Sequence, residues 1–175
     1  ITSKLLKPFG FTKEMISLTG TCALEHFTST IAEELLSNPD IQAMFMDETM
    51  YHLWMWHAVE ENEHKAVAFD LYQHLYGSGL SAYLPRITVF TLSLFLITGF
   101  STIYQFVLMK RDHQLLNFKS WRKFFSFANK QYRTLIPQFV DYYRFDFHPN
   151  QTDEKDLVAS TKIKIGLKDP KLLLS

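Results

Sequence analysis

The chain has 175 residues, with 18 basic and 18 acidic side chains and a formal net charge of zero. Hydrophobic residues make up 47% and aromatics 15%, which supplies a core and excludes a disordered chain; the balanced charge offers no basic excess for nucleic acid. A single cysteine, Cys22, excludes an intrachain disulfide and a cysteine-based zinc module, and points to a reducing, cytoplasmic compartment.

The first ten residues, "ITSKLLKPFG", resemble neither a signal peptide nor a transit peptide, and a start at Ile1 rather than methionine leads us to expect further residues upstream. Glycine is scarce and no phosphate-binding glycine loop or alternating strand pattern is present, so the expectation is all-α. A first helix is predicted over 13–36, with Thr12 as its N-cap and "SNPD" as its end. A second follows over 48–76, capped by Asp47 and stopped by "GSG" at 77–79. A third covers 87–109. A fourth covers 120–136, where Pro137 ends or kinks it. Residues 1–144 thus read as a helical bundle, and 145–175 as a peripheral loop and tail.

The second helix carries "WHAVEENEHKAVAFD". Residues three and four apart share a helix face, so His57, Glu61 and His64 line up, with Glu60 at the edge and Glu63 turned away. Their stripe-mates Leu53, Ala68 and Leu71 are apolar, which predicts an inward-looking face; buried charge needs a partner or a metal. The competing reading is a solvated face with a link from Glu61 to Lys65. On the first helix, Glu25 stands alone in a small or apolar stripe of Leu18, Cys22, Ser29, Ala32 and Leu36, flanked by Leu24, Phe27, Ile31 and Leu35. His26 projects about 100° away from Glu25. One helix with a Glu and another with Glu-x-x-His supply half of the ligand set of a ferritin-like di-metal carboxylate bundle. Such donors suit iron first, with manganese or zinc as alternatives.

At "ALEHFTSTIAEELL", "LWMWHAVEENEHKAVAFDLY" and "FHPNQTD" the chain resembles the bacterial family of predicted metal-dependent hydrolases. The resemblance runs from about Leu18 to Asp153 and implies that Glu25, Glu61 and His64 hold metal, with His57 and Glu60 in support as catalytic residues. It also implies a second Glu and a Q-E-x-x-H-type helix upstream of the E-H-F-T helix. Half of the metal site is therefore expected outside this chain as it stands, upstream or from another chain. The expected reaction is metal-dependent hydrolysis of a small apolar or acyl-type substrate. The alternatives are a di-iron oxidase acting on an apolar substrate and a non-catalytic, membrane-associated helical protein.

The third helix, "ITVFTLSLFLITGFSTIYQFVLM", has no charge in 23 residues. It would extend about 34 Å, enough for a hydrocarbon core of roughly 30 Å. Membrane contact through 87–109, including association with an inner membrane, stands beside burial in the core or in a homo-oligomer interface. Cys22 is expected to be a packing residue, His148 to buttress a loop, and "MYHLWMW" at 50–56 to pack in the core.

Overall fold

A computed structural model describes residues 11–167, and every element among them is helical. The sequence readings of 1–10 and of the last part of the tail, 168–175, lie outside the described residues.

Helix α1 (Lys13–Ser37) begins where the Thr12 hydroxyl accepts the Met15 amide at 3.1 Å, and ends before the Asn38–Pro39 junction. Pro39 opens the single turn α2 (Pro39–Gln42). Asp47 caps the next helix by accepting the Met50 amide at 2.8 Å. The element predicted over 48–76 is divided. It forms α3 (Glu48–His64) and α4 (Val67–Tyr76), with Lys65 and Ala66 between them. No Gly or Pro marks this break. Its cause is tertiary: Lys65 and Ala66 are both buried, and the Lys65 ammonium is drawn to residues about 90 positions downstream. Helix α4 ends as expected at Gly77, whose φ of 73° favours glycine.

Helix α5 (Leu80–Arg111) starts earlier than 87, with Pro85 inside its second turn. Helix α6 (Phe118–Asp141) likewise runs through Pro137 rather than ending at Ile136. Within the segment read as a loop and tail, Pro149–Gln151 form a 3-10 turn and Lys155–Lys164 form α7, which packs on α3 and α1.

Helix α1 is the central element, touching α3, α4, α5, α6 and α7. Two apolar clusters sit along it. The first joins Cys22 and Ala23 to Phe69, Tyr72, Phe90, Tyr142 and Phe147. Phe90 and Tyr142 stack there with ring centroids 4.1 Å apart. The second joins Ala32 and Leu36 to Met55, Ala58 and Val59, closed by Leu157, Val158 and Ile165 of the tail. Cys22 is packed in the core as predicted, and burial pushes its thiol up to about 12. Of "MYHLWMW", only Met55 is fully buried; Met50, Leu53, Trp54 and Trp56 are exposed, because the buried side of α3 is Met55, Ala58, Val59 and Asn62. Helix α5 is a core helix only over its first third, where Ala82, Val89 and Phe90 are buried; none of its residues from 91 to 108 is buried.

Candidate metal centre

Glu25 on α1 lies within electrostatic reach of Glu61 and His64 on α3. Its carboxyl is held above the usual range, first by burial, then by the Glu61 charge, with His64 acting in the opposite direction. The three predicted ligands are thus brought together electrically. Glu61 is the best anchored: Oε2 accepts the Thr28 hydroxyl at 2.6 Å, and Oε1 lies 3.4 Å from His57 Nε2. The His57 ring meets Trp54 edge-on at 5.9 Å. Glu60 is half-buried and takes part in none of these contacts. Glu63 points elsewhere, as its helical position predicts, and pairs with Lys162 at 2.7 Å.

The setting differs from the inward face expected. Glu25 and Glu61 are half-buried, whereas His57 and His64 are exposed, as are Leu53 and Leu71 on the same stripe. The trio lies at a rim because the α3 side that packs on α1 is centred on Met55, Ala58 and Val59, one helical position away. The Glu61–Lys65 link of the competing reading does not form, since Lys65 is buried and pairs with Glu154. Among the described residues, no three His, Cys, Asp or Glu side chains converge closely enough to hold an ion. The donors fit a divalent cation in kind: two carboxylates of like charge that repel each other, and an imidazole. In number, they leave coordination to be completed from elsewhere.

A second polar site, on the other side of α1, is not legible in the sequence. Its cleft, of about 160 Å³, is lined by His26, Glu33, Asn62, Lys65, His148 and Thr152 among others. Lys65 donates to the Thr152 carbonyl at 3.2 Å and forms a buried ion pair with Glu154. Burial and then the Glu154 charge push the Glu33 carboxyl up, while Lys65 pulls it down. His26 sits among Phe90, Phe139, Tyr142 and Phe147, with Nε2 3.1 Å from the Gln138 carbonyl. Burial pushes it down to about 4, so it is neutral at physiological pH. His148 accepts the Asn150 amide on Nδ1 at 3.1 Å, which leaves Nε2–H to donate to Asp70 at 2.8 Å. It thus buttresses the loop, as expected, and also borders the cleft. The one local cue was Lys65 itself, a lone cation before the apolar run "AVAF".

Neither a curated protein nor a solved structure matches this chain. One protein family does, over residues 3–153, and its description is predicted metal-dependent hydrolase.

Proposed function

This chain belongs to the family of predicted metal-dependent hydrolases, and on that premise we propose that it hydrolyses a small acyl-type substrate using a divalent cation held by Glu25, Glu61 and His64. The observation that carries the reading is the charge relation of these three: two carboxylates on neighbouring helices oppose each other, and an imidazole relieves them. A cation placed there would relieve them further. Iron, manganese and zinc all suit such donors, iron first. The remaining donors would come from outside the described residues or from a second copy of the chain.

When bound, such a cation supplies Lewis acidity toward a water molecule and a substrate carbonyl. The chain's own groups then have distinct tasks. The Thr28 hydroxyl occupies one lone pair of Glu61 Oε2 and fixes the carboxylate's rotation. His57 Nε2, beside Glu61 Oε1, is the group placed to take up and return a proton. Glu60 is the second candidate for that task.

The test is to load the purified protein with Fe(II), Mn(II) or Zn(II), desalt it, measure retained metal, and assay p-nitrophenyl esters of increasing acyl length. Glu61→Gln and His64→Ala should lose both metal and hydrolysis; His57→Gln should keep the metal and lower kcat. Failure of the metal-replete protein to retain any cation would overturn the reading. A second reading, oxidation of an apolar substrate at iron, is favoured by the exposed apolar side chains around the site: Leu24, Ile31, Leu53 and Trp54. Oxygen uptake by the reduced, iron-loaded protein, without ester hydrolysis, would decide for it.

A further inference from the structure

Beyond Leu94, α5 runs out of the core and α6 returns to it at Phe139, an antiparallel arm whose outer part the rest of the chain does not bury. From Thr91 to Leu108, α5 has no buried residue, and α6 has none along its whole length. Phe95 is 74% exposed and Phe100 70%, and Leu96, Ile103 and Tyr104 beside them are similarly open. The connection between the helices presents Leu116 and Phe118, both almost fully exposed. So large an apolar surface marks an interaction site.

Charge identifies the partner. The chain as a whole is neutral, yet residues 87–140 contain seven basic side chains and one acidic one, Asp112. This stretch therefore carries +6, and the remainder of the chain −6. The basic groups are arranged in a pattern. Lys119, Arg122, Lys123 and Lys130 follow one side of α6, with Phe127 among them. Trp121, Phe124, Phe125 and Tyr132 fall on other positions of the helix, and Phe106 of α5 meets Trp121 at 5.3 Å. Lys130 is engaged with Asp40; Lys110, Arg111, Lys119, Arg122 and Lys123 have no acidic partner among the described residues. A basic, aromatic-rich amphipathic helix beside an uncovered apolar one matches an anionic lipid surface.

The same geometry decides how the arm meets the bilayer. Phe90 at the base of α5 stacks on Tyr142 just after α6, so both ends of the arm return to one core. A single crossing by α5 would place the two rings on opposite sides of the membrane. A crossing by both helices would draw Lys119, Arg122, Lys123 and Arg133 into hydrocarbon, where no partner awaits them. We propose that the α5–α6 arm lies in the interface of an anionic bilayer, with the apolar side chains of α5 among acyl chains and the basic stripe of α6 against phosphate headgroups.

Co-sedimentation of the whole protein with phosphatidylcholine vesicles, with and without phosphatidylglycerol, tests this. Binding should be roughly tenfold or more tighter on the anionic vesicles and weaken with added salt. Lys119→Glu with Lys123→Glu should abolish that preference; Phe95→Ser with Phe100→Ser should weaken binding to both vesicle types. All four positions are exposed, and unchanged circular dichroism would confirm that the variants fold. Carbonate should release the bound protein. Failure to bind vesicles, equal binding to both types, or resistance to carbonate would overturn the proposal. So would a self-associated form that Phe95→Ser with Phe100→Ser dissociates and that ignores lipid.

Discussion

The Thr28 hydroxyl donates to Glu61 Oε2 across 2.6 Å and so joins α1 to α3 at one of the carboxylates proposed to hold a cation. Removing that donor leaves the carboxylate in place but free to rotate. Thr28→Val should therefore weaken divalent-cation binding by about tenfold, the usual scale for a group that orients a ligand. Titration with Mn(II) or Zn(II), followed by competition with a chelator of known affinity, measures it. An unchanged affinity would remove Thr28 from the site.

Glu25 gives a pH signature. Its raised carboxyl means that the folded protein holds this proton more tightly than the unfolded chain does. Metal-free stability should then decline as pH rises from the ordinary carboxylate value of 4.5 through the raised one. Glu25→Gln lacks that penalty and should melt slightly higher than the parent at neutral pH without metal, the gain vanishing in acid. The gain is small because the group is partly exposed. With metal bound, the order should reverse, because the charged carboxylate is then the useful form. Melting curves of both proteins, with and without Zn(II), give the four comparisons.

His26 acts in the opposite sense. The unfolded chain takes up its proton near 6.5, whereas the folded protein resists until about 4. Stability is therefore retained above 6.5 and lost as pH falls across this interval, by on the order of 3 kcal/mol. His26→Phe preserves the ring packing against Tyr142 and should flatten the pH dependence in that window. Urea unfolding at a series of pH values would show it; an unaltered slope would mean that another group is responsible.

The Lys65–Glu154 pair is buried on both sides, with side-chain exposures of 9% and 9%. Lys65→Ala would strand Glu154 and Glu33 together, at a cost of about 3 kcal/mol. Adding Glu154→Gln should return a large part of that loss by removing the orphaned charge. If the double variant is as unstable as the single one, Lys65 contributes by packing instead.

Local signals predicted the helices well. Thr12, Asp47 and Gly77 each cap where the residue type requires it, and periodicity sets Glu61 and His64 on one stripe of α3 and Glu25 in a small or apolar stripe of α1. What periodicity could not supply was the rotation of α3 about its own axis. Whether Leu53 or Met55 faces α1 depends on which side chains α1 offers, and both sides of α3 carry apolar residues. A single-position error turned an expected interior trio into a rim. The cleft was hidden for a different reason: Lys65 meets Thr152 and Glu154 only once the chain has made two long helices and returned. Similarly, the uncharged run at 87–109 is legible as apolar, but that Phe90 at its base meets Tyr142 beyond α6 depends on contacts about 50 residues apart that no local pattern carries.

The end of α3 carries two neighbouring cation-capable side chains on different sides, His64 exposed and Lys65 buried. His64 looks out toward Glu25 and Glu61, and Lys65 looks in toward Glu154. On the helix Lys65 lies about 100° from His64 and continues the buried side of α3, three residues past Asn62 and seven past Ala58. The body of α3 thus acts as a partition wall. It keeps a permanent ammonium away from the carboxylates proposed to hold a divalent ion, and engages it instead with Thr152 and Glu154 of the tail.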